Sequence, residues 1–401
     1  MRQKTILLFQ PYLRKHILDF GKATSKFQFV VYSNRYAKTK DFYKKSMSTP
    51  REEFSRSKLG FQNRLRRLLG ILNVRIKFIK NHDLLFTYGC LLITNKPYCV
   101  YVENGAALFN YDPFILRNFL AKCWFAFLIR LPQCKKLIFM SETALTSLIA
   151  TGKFSQSTEK VLRKKSVQIY PFVKDPKQVE PKKFSSSIKF LFTGIYYVKG
   201  GREAVNAFEK ISKVYPDASL TIVTPLHMLL PEDKEHILSL PKITLLDAAF
   251  SAEEMENLYR THDVFIFPTF RDTFGLVLIE ALSFGMPLIA TDQYATTEMA
   301  LENYNAFVFK NHPLLDYDPT TKEMYGKLYN AKTFYETLFS LEEKGAMAPV
   351  EEFLFASLQQ FLTDPSLLEK YSKNSLELYQ KKFRESLISQ KIETAFTEAA
   401  S

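Results

Sequence analysis

Short apolar runs alternate with amphipathic stretches along most of this chain, most regularly after residue 187. The runs 188–192, 216–223, 243–246, 263–267, 288–290 and 305–309 are rich in β-branched and aromatic residues. Turn residues follow each of them, so they read as buried strands. Between them apolar residues recur at helical spacing: Ala204, Val205, Ala207 and Phe208, then segments 227–238 and 251–261, then Leu276, Ile279 and Leu282. Ser251-Ala-Glu-Glu254 has the form of a capping box opening the third of these helices. Strands that alternate with helices in this way predict a parallel, doubly wound α/β sheet.

The first half repeats the pattern less regularly. Strands are predicted at 5–9, 27–32, 83–87, 98–102, 137–140 and 167–170, with a short helix within 13–24 and a polar, basic loop over 34–58. Residues 59–80 predict one basic amphipathic helix, with Leu65, Leu68, Leu69 and Leu72 on one side. Residues 112–131 predict a single apolar helix, interrupted by Arg117, Lys122 and Arg130 and carrying the only Trp, Trp124. A place in the first domain's core suits it better than a membrane interface with snorkelling cations. Ser141 should cap the helix that follows strand 137–140. The Pro-, Lys- and Ser-rich stretch 174–187 marks a domain boundary. The expected division is a first domain over 1–175, a linker over 176–187 and a second domain over 188–375. Residues 311–349 look like an insertion, and the terminal helices fall at 350–361 and 366–396.

The stretch 268–292, PTFRDTFGLVLIEALSFGMPLIATD, concentrates the chemistry. Pro268 closes a strand, Arg271 to Gly275 form a turn, and a helix opens at Leu276. The first N–H groups of a helix have no partner within it, and the dipole adds about half a positive charge there. Thr273, Phe274, Gly275 and Leu276 therefore offer donors to a phosphate. Asp272 precedes the turn. Glu280, eight residues on, breaks the apolar side of the helix, where a carboxylate needs partners. The two hydroxyls of a ribose would serve. Gly194 lets the backbone approach a ligand after a strand, and Lys199 stands just before a helix, within reach of a diphosphate. Glu103 and Asn104 follow strand 98–102 at the end where parallel sheets bind ligands. They are candidate acceptor contacts, although a loop Glu paired with an Arg fits equally.

These residues resemble the Glu-x7-Glu signature of retaining GT-B glycosyltransferases of the group 1 type. The resemblance is specific over 188–310 and architectural over 1–175. It implies two Rossmann-like domains facing across a cleft, the first for the acceptor and the second for a nucleotide sugar, with helix 376–401 returning to the first. It assigns the donor ribose to Glu280, the donor sugar to Asp272, and the diphosphate to residues 273–276 and Lys199. Three departures stand out. Asp272 is one methylene shorter than the family's Glu, Ile195 stands where an Arg is common, and no His lies near Glu103. The resemblance implies no cofactor and no metal. Asp316-Tyr-Asp318 mimics a metal-binding motif of another glycosyltransferase fold, but its loop setting speaks against that role.

Charge adds a partner. Residues 1–180 hold 33 Lys and Arg against 11 Asp and Glu, and residues 181–401 hold 22 against 30. A net +22 half beside a −8 half suggests an anionic or lipid-linked acceptor, or an anionic membrane surface. No run is long and apolar enough to span a bilayer, and the opening strand does not read as a signal peptide. A cytoplasmic protein, peripheral at the inner face of the membrane, is the expected setting. Cys90, Cys99, Cys123 and Cys134 lack metal-ligand spacing and sit in buried-looking contexts as free thiols. The alternative readings are a non-catalytic membrane- or nucleic-acid-binding protein of the same fold and a sugar-nucleotide hydrolase or epimerase. Nucleic acid is not the expected partner.

Overall fold

The computed structural model describes residues 3–9, 19–21, 23–32, 61–176, 182–185, 187–328 and 330–401. The expected helix within 13–24 falls largely outside them, and the basic loop 34–58 entirely so.

The first domain runs β1 (Lys4–Phe9), β2 (Phe27–Tyr32), α1 (Phe61–Leu69), β3 (Val74–Lys77), β4 (Leu84–Tyr88), β5 (Leu91–Thr94) and β6 (Tyr98–Val102). There follow α2 (Pro113–Arg117), α3 (Phe119–Arg130), β7 (Cys134–Phe139), α4 (Glu142–Gly152), α5 (Gln156–Lys165) and β8 (Ser166–Gln168). The second domain runs β9 (Lys189–Thr193), α6 (Gly201–Val214), β10 (Ser219–Thr224), α7 (Pro231–Ser239), β11 (Ile243–Asp247), α8 (Ala252–Thr261) and β12 (Val264–Phe267). Then come α9 (Leu276–Ser283), β13 (Leu288–Thr291), β14 (Ala306–Phe309), α10 (Ala331–Glu343), α11 (Ala348–Thr363), α12 (Pro365–Lys382) and α13 (Glu385–Ala399).

Two six-stranded parallel sheets result, ordered β2-β1-β4-β6-β7-β8 and β11-β10-β9-β12-β13-β14. In the second sheet the order reverses between β9 and β12, which pair directly from Val264 opposite Phe190. Ligands of doubly wound sheets bind at such a reversal, beyond the C-terminal strand ends. The loops that follow β9 and β12 carry Lys199 and Asp272.

Several elements depart from the sequence reading for local reasons. The helix expected over 59–80 stops at Leu69, because Gly70 takes φ 61° and Val74–Lys77 pairs with Leu91–Thr94 as a small separate sheet. The single helix expected over 112–131 is two. Asn118 breaks it in extended conformation, and its side chain accepts from Ala121 N to cap α3. One face of α3 is buried, with Phe125, Leu128 and Ile129, but Phe119, Leu120, Trp124 and Phe127 are exposed, so α3 is no core helix. Cys123 is exposed on it too, unlike the other three free cysteines. The terminal helix expected over 366–396 breaks between α12 and α13. The α12 helix lies on the second domain, where Leu376 abuts Gly285. The α13 helix lies on the first sheet, with Phe396 edge-on to Phe86 at 5.1 Å and Phe27 at 6.1 Å. Burying Ile388, Ile392 and Phe396 there contributes about 1.5–3 kcal/mol each.

Polar bonds also join the domains. The Glu298 carboxylate accepts from Glu142 N (3.1 Å) and Thr143 N (2.8 Å) at the start of α4, and from Tyr170 Oη (2.9 Å). Glu298 thus caps a helix of the other domain. Tyr294 Oη accepts from Gly105 N at 3.0 Å and shares a hydrogen bond with Ser147 Oγ.

Within α6, Glu203 is buried, and burial pushes its carboxyl up to about 8, with Glu342 adding to the rise. A carboxyl raised above its ordinary value destabilises the fold increasingly as pH rises between about 4.5 and 8. Glu203→Gln is therefore expected to raise the urea midpoint by the equivalent of a few kcal/mol at pH 8. At pH 5 the midpoint should hardly move.

Candidate functional site

The turn between β12 and α9 meets the loop after β9 at close quarters. Gly200 takes φ 72°, and a Cβ there would lie 2.4 Å from the Pro268 carbonyl oxygen. Only glycine allows the two loops to touch. A Cβ on Gly194 would lie 2.7 Å from Lys199 Cγ, so the bare glycine leaves room for the lysine stem to fold over it.

Lys199 Nζ lies 2.5 Å from Asp272 Oδ2 and 2.8 Å from the Arg271 carbonyl oxygen. Asp272 Oδ1 in turn accepts from Phe274 N at 3.0 Å and Gly275 N at 3.1 Å. Burial alone would raise the Asp272 carboxyl. The Lys199 ammonium and the turn amides outweigh burial and hold it below the ordinary carboxylate range. Two of the four amides expected to face a phosphate thus already bond the protein's own carboxylate. The short aspartate stem explains this, because Asp readily accepts from the amides two and three residues on. Phe274 itself is buried, its ring 5.9 Å from Tyr170 of the first domain, and Gly275 caps α9 with φ 87°.

Glu280 faces a different space. Its Oε2 accepts from Tyr259 Oη at 2.8 Å, a phenol that burial and this carboxylate keep protonated far above its ordinary range. Tyr259 thus gives this carboxylate one partner within the protein, beside the ribose hydroxyls that the sequence suggested. Above them opens a cavity of about 430 Å³ lined by Lys174, Ser251, Met255, Tyr259, Leu276 and Glu280.

A second cavity, of about 350 Å³, lies between the domains. Glu103 and Asn104 enter from the first domain, and Asp272, Thr273, Gln293 and Tyr294 from the second. The turn therefore runs from one cavity to the other, with Asp272 and Thr273 in the interdomain cavity and Leu276 and Glu280 in the cavity of Tyr259. Asn104 Oδ1 also accepts from Ala106 N at 2.9 Å, which fixes its side chain. Loop 311–328 supplies the outer wall through Leu314, Asp316, Tyr317, Met324 and Leu328. The carboxylate of Asp316 accepts from the Lys327 and Leu328 amides, and that of Asp318 from the Thr320 and Thr321 amides. Both aspartates shape the loop. Among the described residues no cluster of His, Cys, Asp or Glu is arranged to hold a metal.

Sequence reasoning missed Tyr259, Tyr294 and the loop wall. Tyr259 falls at helical spacing from Met255 and was within reach of pattern analysis. Tyr294 has left-handed φ (53°) and bonds across domains, which no local pattern signals.

Residues 187–316 match the family model described as glycosyl transferases group 1. A D-inositol 3-phosphate glycosyltransferase of Paenarthrobacter aurescens is 26% identical over 145 residues. That match covers 35% of this chain and 36% of the relative, so the chain spans about a third of it. Similar solved structures cover nearly the whole chain. A glycosyltransferase of Rickettsia africae superposes with a TM-score of 0.57 at 15% identity, covering 100% of this chain and 99% of that one. HepE of Anabaena, in complex with UDP, gives 0.56 at 12% identity, covering 98% and 99%. WaaG, a glycosyltransferase involved in lipopolysaccharide biosynthesis, gives 0.53 at 11%, covering 97% and 99%. The fold is that of GT-B glycosyltransferases: two Rossmann-like domains, each built on a parallel sheet. Its second domain carries the glycosyl transferases group 1 match.

Proposed function

We propose that the protein transfers a sugar from a nucleotide-sugar donor to a hydroxyl of a glycan or lipid-linked acceptor, with retention of configuration and without a metal. The observation that carries this reading is the single turn, 272–276, bridging two cavities. The nucleoside fits the cavity of Tyr259 and Glu280, with Glu280 accepting from the ribose hydroxyls. The diphosphate then crosses the turn, and the donor sugar enters the interdomain cavity beside Asp272. HepE of Anabaena, which shares the fold, has been seen in complex with UDP and glucose, which supports a nucleotide-sugar donor.

As the glycosidic bond breaks, negative charge builds on the leaving diphosphate. Lys199 and the amides at the start of α9 are placed to stabilise it. Glu103 and Asn104 would orient the acceptor. The interdomain cavity combines three carboxylates, Glu103, Asp272 and Asp316, with aromatic walls at Tyr111, Phe270 and Tyr294. Such walls suit an uncharged, hydroxyl-rich sugar at the acceptor's reacting end, so any negative charge on the acceptor lies outside the cavity. Use of a nucleotide-sugar donor would suit a cytoplasmic setting.

A thermal-shift screen with UDP, GDP, ADP, CMP and dTDP tests the donor half. A nucleotide at 100 times its Kd should add about 2.7 kcal/mol of stability to the wild type. Glu280→Ala should abolish most of that shift while leaving Tyr259 exposed to water from the cavity. If no nucleotide stabilises the wild type, or Glu280→Ala responds equally, the donor-site assignment is wrong.

A further inference from the structure

Among the described residues, eleven of the fifteen large exposed apolar side chains fall between Leu65 and Phe127. Leu68, Phe78 and Phe119 are each about 70% exposed, and Trp124 and Phe127 more than half. Contacts link the elements that carry them. Asn118 Nδ2 donates to the Arg67 and Leu68 carbonyls at 3.0 and 3.3 Å, joining the end of α1 to the start of α3. The Arg67 guanidinium lies 4.5 Å over the Phe114 ring. The α3 helix also packs on β5, which pairs with β3, bringing Ile76 and Phe78 alongside. On α3 itself the exposed residues 119, 120, 123, 124 and 127 follow helical spacing opposite the buried Phe125, Leu128 and Ile129.

The charge around this face has one sign. Residues 61–135 hold eleven Lys and Arg but only three Asp and Glu. Two of the three acids, Glu103 and Asp112, are buried. Arg66 on α1, Arg75 on β3 and Lys80 just after it are exposed among the apolar side chains of these elements. Apolar and aromatic side chains flanked by cations match the headgroup region of an anionic bilayer, which takes aromatic rings at its polar boundary and attracts Lys and Arg.

We infer that this face, formed by α1, α3 and the β3 edge, seats the first domain on an anionic lipid surface, with Phe119, Trp124 and Phe127 entering the headgroup layer. The face also adjoins the interdomain cavity. The α2 helix carries Phe114 on the face and Pro113 in the cavity wall, and Arg117 ties it to the Met324 and Tyr325 carbonyls of the cavity's outer loop. A docked protein would thus present the cavity mouth near the membrane, where the sugar of a lipid-linked acceptor can enter. This last step rests on the glycosyl-transfer reading, but the docking does not.

Trp124 is the only Trp, so its fluorescence reports on this face alone. The whole chain is titrated with phosphatidylcholine vesicles and with mixed phosphatidylcholine–phosphatidylglycerol vesicles. The expected result is a blue shift with the anionic vesicles, quenched by brominated lipid, at an affinity at least ~10-fold above that for neutral vesicles. Replacing the two exposed phenylalanines of α3 (Phe119→Ser, Phe127→Ser) keeps the reporter and should weaken binding by ~10-fold or more, with Tm and nucleotide response unchanged. Vesicles that sediment the protein without shifting Trp124 would overturn the inference, because contact would then lie elsewhere. So would a blue shift that grows with protein concentration in the absence of lipid, which would assign the face to a second copy. Absence of binding to either vesicle would also overturn it. None of these readouts needs catalysis, so failure here leaves the nucleotide screen standing, and failure there leaves the docking standing.

Discussion

Lys199→Ala is expected to lower kcat/KM by about 10²–10³-fold, the usual cost of removing one donor aimed at developing negative charge. The same substitution should also cost stability. It leaves the Asp272 carboxylate, 17% exposed, with two amide donors and no cation. Breaking a fully buried ion pair costs about 3–5 kcal/mol, and the retained amide bonds and partial exposure reduce that here to about 2 kcal/mol. The two effects separate in a double variant. Adding Asp272→Asn to Lys199→Ala removes the stranded charge, so the urea midpoint should recover while kcat/KM does not. Recovery of both would mean that Lys199 serves only to neutralise Asp272. The pH dependence follows from the same pair. The folded Asp272 carboxyl titrates below its ordinary value, so its contribution is in place above about pH 4 and lost as pH falls through the folded value. In Lys199→Ala that acid-side loss should shrink, which urea titrations at pH 3 and pH 6 would measure.

The sequence made the second domain legible because its signals are local. Each strand of 188–309 is a short apolar run with a turn residue behind it, and each helix shows its own period. The strand order in that sheet then places Gly194, Lys199, Asp272 and the start of α9 at the reversal point without further information. The first domain was harder to read for identifiable reasons. Gly70 ends α1 by taking a left-handed conformation within a pattern that stays amphipathic beyond it. Asn118 splits α2 from α3 by turning extended next to Arg117, inside a run that otherwise reads as one helix. The exposure of Phe119, Leu120, Trp124 and Phe127 could not be told from burial, since hydrophobicity states a preference and not a location. The contents of the two cavities were also only half visible. Glu103 and Asp272 are 169 positions apart in the chain, and only the closure of the two domains places both in one cavity. Tyr294 and Glu298 hold that closure through bonds whose partners lie more than a hundred residues away. No periodicity records such bonds.

Asp272→Asn should move binding and turnover in opposite directions, and this is the sharper test of the resting geometry. In the free protein the Asp272 carboxylate accepts from Lys199 and from the Phe274 and Gly275 amides, the same cation and donors that a diphosphate would use. Two anions cannot share them without repulsion. A donor bound at the proposed site would therefore turn the carboxylate away, toward the interdomain cavity that Asp272 also lines. An asparagine keeps the oxygen that accepts from the two amides, so the turn retains its shape, but it gives up the competing charge. Nucleoside diphosphate affinity, measured by calorimetry, is expected to rise by about 10-fold, the equivalent of about 1.4 kcal/mol of relieved repulsion. Initial rates of glycosyl transfer should instead fall by about 10²-fold, because the displaced carboxylate no longer meets the sugar at the reacting centre. A parallel fall in affinity and rate would show that the charge of Asp272 is needed to shape the diphosphate site. A rate that survives with tighter binding would show that Asp272 serves only to occupy the empty site and to hold Lys199 in place until the donor arrives.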